Sequence, residues 1–586
     1  MKRFASLAIA AFLALFAQAS SAVPTTYYAS PTGSGTTCSA GSPCTITQCP
    51  TTAATGDICA LLPGTYDLGS SGNNFSTKNI TITSSTGVCG DVTITSSNST
   101  RTVALSVVNN ATPLILSYVT VANTAGSYAI AINDAAFDAE VDVIGTCSTA
   151  GTSRAINDSY GRGTVKLTNN SVTGNIPGGG AVVSSPTLTA AKKISVTGNT
   201  INVTSTSNTQ TPVLQVARNT GSLFGEWAYI ANNTITAVVP PAVGTNEALI
   251  GIRLTRITNG VDLSGNTTPP IIEGNTVSVT ATGATIADTM AVLVESQDST
   301  AVADNAIVRN NVLTCNSGVT RCVSVGNDST TQNYATSVNI YGNTIAGLYY
   351  NGVATPHGVS CGHSTNCRVY RNWFQGHGAA ILTSEGTNHE VFGNIVRGAA
   401  YACFLAKGNT SATFFGNSCV MDDSILGAHY GPYGCIEVAS QSPGPVNNAA
   451  TTFQNNICRV ANGTGWKFVK SDTSQTATFI NNDYYSDVAL AGTQFTYGAS
   501  NYAALANWQG AQESTALGLD PAWMGGSSPS LYTGFELGPS SGLIRKGQGL
   551  ANGYGDYRAC RYWSHAPSIG ALEACGGAPA APKTAK

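Results

Sequence analysis

The chain has 586 residues, of which 10% are charged and 42% hydrophobic, with a net charge of −3. So weak and balanced a charge excludes a basic nucleic-acid binder and a membrane-surface binder, and so large an apolar share excludes a disordered chain. The sixteen cysteines are even in number and include no C-x-x-C pair, which points to disulfides and leaves zinc-ribbon and thioredoxin readings without support.

Residues 1–22 read as an export signal: Lys2 and Arg3, an apolar run over 7–16, then Ser20-Ser21-Ala22. The run is too short to span a bilayer, and the first cysteine, Cys38, is too distant to take a lipid at the cleavage point. A secreted (extracellular or periplasmic), soluble and monomeric protein beginning near Val23 is expected. Close cysteine pairs, Cys315/Cys322, Cys361/Cys367 and Cys560/Cys575, are placed to pin loops.

Residues 23–66 contain Tyr27-Tyr28-Ala29-Ser30-Pro31-Thr32-Gly33, and later Gly56-Asp57 followed by Leu62-Pro63-Gly64-Thr65-Tyr66. In this order and spacing they resemble the opening of secreted bacterial right-handed parallel β-helix proteins of the pectate-lyase-like superfamily. There an extended segment and a capping element precede the first coil, so the resemblance implies the same here.

Coils are expected over 67–485. Residues 80–83, 92–95, 114–121 and 165–168 alternate apolar with small polar side chains, the period of a half-buried strand. From Asn170 an asparagine phrase recurs at Asn199, Asn233, Asn275, Asn311 and Asn343, and later at Asn456 and Asn482. It is densest over 357–417, where Asn372, Asn394 and Asn417 follow at intervals of 22 and 23 residues. Such a period means one unit stacked on copies of itself, and no unit has the length or pattern of a helix pair. Asparagine suits a tight turn between sheets, so these side chains are expected to stack as a hydrogen-bonded ladder. The wider intervals, 233 to 275 and 417 to 456, mark inserted loops. The Asn-x-Ser/Thr matches carry no weight in a chain this rich in Asn and Thr.

Over 486–575 the repeat fades. Tyr502, Trp508, Asp520-Pro521, Asp556 with Arg558, and Ile569-Gly570-Ala571-Leu572-Glu573 resemble the C-terminal cap of many bacterial β-helix proteins, although Pro539-Ser540-Ser541 departs from it. A cap is needed because an open solenoid end offers strand edges for aggregation. The Ala/Pro/Gly/Lys-rich tail 576–586 is expected to be disordered. The fold class is therefore all-β: a single right-handed parallel β-helix with N- and C-terminal caps, the handedness being implied by the resemblance.

The superfamily holds lyases, hydrolases, esterases and adhesins, so function must come from residues. Five of the six histidines, His357, His363, His377, His389 and His429, lie within 73 residues, among most of the candidate charged groups. His363, Glu385 and Lys407 are spaced 22 apart, as are Arg368 and Glu390, which would place each set in one column across adjacent coils. Elimination in a uronate polymer needs a cation on the carboxylate, a base for the C5 proton and an acid for the leaving oxygen. Arg368 or Arg371 is a candidate clamp, Lys407 or His363 a candidate base, and Glu385 a candidate holder of a histidine or of Ca²⁺. The column is exposed only if Gly362 begins a turn, since strand alternation would otherwise point His363 inward.

A hydrolase reading rests on Asp422, Asp423, Glu437 and His429, because glycosidases use paired carboxylates. Tyr349, Tyr350, Trp373 and His377 are candidate sugar contacts. A noncatalytic carbohydrate-binding or adhesive surface protein is the third class. The expected function is an exported enzyme on a polysaccharide, a lyase before a hydrolase, with no certain cofactor beyond possible use of Ca²⁺.

Overall fold

The structure, a computed structural model, describes residues 23–572 apart from 71–72, 76–77, 99, 107–111, 124–126, 134–138, 151–153, 161, 177–179, 185–191, 207–210, 218–226, 240–248, 283–288, 296–302, 317, 327–334, 348–356, 427–433, 441–446, 473–474 and 550–566. The export segment, the Cys560/Cys575 pair, Asp556, Arg558, Glu573 and the tail fall outside the described residues.

Each coil lays down short parallel strands in three rows, and each row hydrogen-bonds to the same row in the next coil. The first row is a 16-stranded sheet running from Thr26–Ala29 to Thr478–Ile480. The second row runs from Gly64–Asp67 to Asp483–Ser486, and the third from Asn73–Asn74 to Phe495–Tyr497. The last two rows are joined where Trp373–Ser384 and Ile395–Lys407 continue round the corner without a break, giving one 29-stranded sheet. This is the expected parallel β-helix, wound in the right-handed sense that parallel crossovers take.

Alternation decides the core. In the first sheet Val369, Val391, Phe414, Phe453 and Phe479 stand in register and point inward. The Phe414–Phe453 and Phe453–Phe479 rings stack at 4.6 and 5.5 Å between centroids. Seven disulfides join the fourteen described cysteines, among them Cys315–Cys322 and Cys361–Cys367 as their spacing suggested. That content fits an oxidising compartment. Among the described residues no helix is long and apolar enough to cross a membrane.

The turn from the first to the second sheet has two working residues. The first takes the left-handed backbone, as in Asn169, Gly198, Asn232 and Gly274 (φ 56–67°). The second is the buried ladder asparagine. From Asn170 through Asn482, each Nδ2 donates to the Oδ1 of the next asparagine at 2.9–3.0 Å, and that Oδ1 also accepts the backbone N–H of the same donor residue. The amide dipoles therefore all point one way, leaving unmet acceptors at the N-terminal end and unmet donors at the other. Thr146 closes the first, giving its N–H and hydroxyl to Asn170. Glu513 closes the second: its carboxylate accepts the N–H and Nδ2 of Asn482, the Tyr484 hydroxyl and the Trp508 indole N–H.

Residues 114–121 read as one strand but form two, Leu114–Ser117 and Thr120–Asn123, because Tyr118 adopts the left-handed turn (φ 52°) and Val119 takes the buried turn position. Part of the 233–275 interval is an antiparallel pair, Gly260–Val261 with Thr267–Thr268.

Both ends are covered. Near the N-terminus the helix Gln48–Thr52 lies between Thr26–Ala29 and Ile58–Leu61, tied by Cys49–Cys59. At the other end the helix Leu505–Ala511 drives Trp508 against Phe479 and Phe495. The chain then turns back, and Trp523, Phe535, Leu537, Leu543 and Ile569 cover the outer side of the second sheet.

Candidate functional site

The candidate column divides. His363 and Glu385 are paired through Nε2 and Oε2, and both adopt left-handed backbone (φ 42° and 49°) in the turn leaving the third sheet. Gly362 does end its strand, so both side chains are partly exposed at this corner. Lys407 does not join them. It stands in register with Ser384 and Gly362, still on the sheet, while Gly408 takes the turn position. The cause is a one-residue bulge: His377 pairs with Ala399 but Ala379 with Ala402. A spacing of 22 thus becomes 23 in the last step, and a one-residue slip moves a side chain to a different position on the coil.

Lys407 therefore belongs to the outer face of the third sheet. Three outward columns run along that face. One carries Arg321, His357, Ala379 and Ala402, the next Ser360, Leu382, Leu405, Glu437 and Lys470, and the third Gly362, Ser384, Lys407 and Ala439. Strand spacing puts the Lys407 and Glu437 Cα positions about 8 Å apart, one coil over and two residues along. Among the described residues the Lys407 ammonium has no hydrogen-bond or ion-pair partner.

Glu437 is buried, and its Oε1 accepts the Tyr401 hydroxyl at 2.9 Å and the Lys470 ammonium at 3.2 Å. Its Oε2 is buried without a partner. Burial pushes its pKa above the usual carboxylate range, with Asp472 adding to the rise and Lys470 and Tyr401 opposing it. His357 is held down at about 3 by burial and then by Arg321, Lys407 and His377, so it stays neutral at working pH. Lys467 is lowered by burial and by Lys470 beside it. The face thus offers a cluster of cations, one unpaired ammonium and one carboxyl biased toward its protonated form.

The other sequence candidates have different surroundings. Arg368 pairs with Glu390 at 2.7 Å on the outer face of the first sheet. Arg371 occupies the left-handed turn position before Asn372, its guanidinium over the Tyr370 ring. Trp373 packs edge-on to Phe535 under the returning C-terminal chain, which buries it instead of leaving its face open as a sugar contact. His377 points inside, bonded to the Ile345 carbonyl and pushed down to about 4 by burial. Asp422 accepts the N–H and hydroxyl of Ser424 at the start of a short helix, and Asp423 accepts the Trp466 indole N–H. Tyr349, Tyr350 and His429 lie outside the described residues.

Sequence reasoning had His357 only as a member of the histidine cluster and missed Arg321, Tyr401, Lys467 and Lys470 as its companions on one face. Their separations, such as 36 residues from Tyr401 to Glu437 and 33 from Glu437 to Lys470, vary with the length of intervening segments, so no fixed period shows them. Among the described residues no trio of carboxylate or histidine ligands converges as a cage for Ca²⁺. The one converging group is Cys403, Cys419 and Cys435, all held in disulfides.

No protein-family model matches the chain, and no curated protein matches it in sequence. Among solved structures it is similar to pectate lyase Pel9A, at 13% identity and a TM-score of 0.21 over 94% of this chain and 97% of that one. It is similar also to XylC in complex with xylose (9% identity, TM-score 0.27, covering 79% and 84%). A third is a mannuronic acid-specific polysaccharide family 6 lyase from human gut microbiota (13% identity, TM-score 0.27, covering 81% and 88%). Likeness at this level carries no argument, and both the fold and the site rest on the geometry above.

Proposed function

We propose that the protein is an exported polysaccharide lyase that cleaves a uronate-containing polymer by β-elimination on the outer face of the third sheet. One observation carries the reading: the unpaired Lys407 ammonium shares that face with the Tyr401–Glu437–Lys470 cluster, whose carboxyl keeps a free oxygen. Lys407, reacting as the free amine, takes the C5 proton of the uronate and becomes the ammonium. The electron pair left behind forms the C4–C5 double bond as the C4–O bond breaks, and the departing oxygen takes a proton from Glu437. Arg321 and Lys470 supply positive charge to the carboxylate, which stabilises the developing enolate. A carboxyl held protonated by burial is suited to the acid step.

Hydrolysis through a carboxylate pair has less support, because Asp422 and Asp423 both serve as hydrogen-bond acceptors for neighbouring structure. The test is incubation of the mature protein with acidic and neutral polysaccharides, with and without Ca²⁺, reading ultraviolet absorbance and reducing ends together. Both signals should rise on an acidic polymer. Reducing ends without absorbance would make the protein a hydrolase, and silence across the panel would make it a binding protein.

A further inference from the structure

Around the corner from Lys407, a cleft of about 460 Å³ lies against the first sheet. Its floor is a grid of polar residues from three successive coils: Asn366 and Arg368, then Asn388 and Glu390, then Ser411 and Thr413. The lyase reading uses none of them. Asn366 and Asn388 both sit in left-handed turns (φ 55° and 56°), and Asn388 is fixed by two hydrogen bonds of 2.8 Å with the Ser411 hydroxyl.

Arg368 is the unusual member. Its Nε is held by Glu390 at 2.7 Å, and its guanidinium lies over the Tyr370 and Phe392 rings, 5.7 and 5.5 Å from their centroids. Those rings are themselves stacked at 4.8 Å. The group is therefore oriented from one side and from beneath, while its two terminal nitrogens have no hydrogen-bond partner among the described residues. The side chain is 40% exposed. An arginine already stripped of rotamer freedom loses little on binding, and a free pair of terminal N–H groups matches a carboxylate with two parallel bonds. Arg371 lies against the same Tyr370 ring, so two guanidinium groups and one carboxylate surround it. Amide and hydroxyl groups beside such a fork suit sugar hydroxyls.

We infer that this cleft is a second, non-catalytic binding site for a carboxylate-bearing sugar, anchored by Arg368. The choice of a uronate rests on the lyase reading; the site itself rests on the cleft and the pinned guanidinium. It would hold the polymer on one sheet while another stretch is cut on the next.

The experiment is calorimetric titration of the Lys407→Ala protein, which does not consume substrate, with trigalacturonate, trimannuronate and their methyl esters. An acidic trimer should bind in a ratio of two per chain. Adding Arg368→Ala should lower that to one, or weaken the second event at least tenfold. Arg368→Lys, which keeps the charge but loses the fork, should do the same with an unchanged circular dichroism spectrum, and the methyl ester should bind the parent as the acid binds the Arg368 variants. Unchanged stoichiometry and affinity in both variants, or no binding of any acidic trimer, would overturn the proposal. Arg368-dependent binding by a protein with no turnover would sink the lyase reading and leave this one standing; turnover with no Arg368 effect would do the reverse.

Discussion

The outer faces of the first and third sheets carry similar residue types but use them differently. On the first sheet the charges answer one another along the columns: Glu273 with Arg309, and Glu390 with Arg368. Tyr229 gives its hydroxyl to Glu273, and Arg309 gives an N–H to Tyr341. On the third sheet the early coils do the same, as in the buried Arg253–Glu295 pair, but the later ones do so only in part, through Glu437 and Lys470. There Lys407 has no partner and Glu437 leaves one oxygen unmet. A stacked column is the cheapest place for a solenoid to pair charges, one strand spacing apart, so a charge left over in such a column is more informative than a charge that is matched. On the proposed reading the matched face binds, and the partly matched one has groups left for chemistry.

That contrast can be broken most sharply at Lys407. Lys407→Ala should cut turnover by about a thousandfold, the scale of a lost general base, with far-UV circular dichroism unchanged. Glu437→Gln should cost about a hundredfold. It should also remove the alkaline limb of the pH–rate profile, because an acid with a raised pKa loses its proton, and the activity that depends on it, as pH rises. A profile that keeps its alkaline limb in Glu437→Gln would assign the acid step elsewhere.

Smaller effects come from the scaffold that both faces share. Asn394→Ala removes the acceptor for two donors of Asn372 and the donors to Asn417 and the Phe392 and Val369 carbonyls. Leaving these buried groups unmet should destabilise the solenoid by about 3 kcal/mol in denaturant unfolding. At the end of the ladder, burial pushes Glu513 up to about 7 against the pull of its donors. Its folded pKa lies above the ordinary value of 4.5, so the stabilisation tied to its proton is complete below pH 4.5 and is lost as pH rises through about 7. The loss amounts to about 3 kcal/mol, and Glu513→Gln should flatten that part of the stability–pH curve. Smallest of all, His363→Ala should change turnover less than about threefold, since it and its partner Glu385 lie in a turn off the proposed active face.

Much of the fold is legible from residues alone because, from Asn170 onward, the ladder repeats a chemical requirement from coil to coil. The left-handed position calls for Gly or Asn and the buried one for an amide, so pairs such as Gly198-Asn199 and Asn232-Asn233 announce each turn. Tyr118-Val119 makes the same turn with neither residue, held by its neighbours, and is silent in sequence. Glu513 as the terminal acceptor is equally silent, because only the direction of the amide dipoles calls for a carboxylate there. The candidate site was legible in part. Lys407 stands out as a charge in a region of charges, and Glu437 as a carboxylate near it. The bulge between His377 and Ala379 that moves Lys407 out of line with His363 leaves no trace in the spacing of two residues 22 apart. Tyr401 and Lys470 come beside Glu437 through strand register, which inserted segments of unequal length conceal.

The most direct test of the account is the turnover of Lys407→Ala beside His363→Ala on whichever acidic polymer the wild-type protein degrades, measured as unsaturated-uronate absorbance. The account expects Lys407→Ala to be silent and His363→Ala to run near the wild-type rate. A silent His363→Ala beside an active Lys407→Ala would contradict it and move the chemistry from the third sheet to the turn.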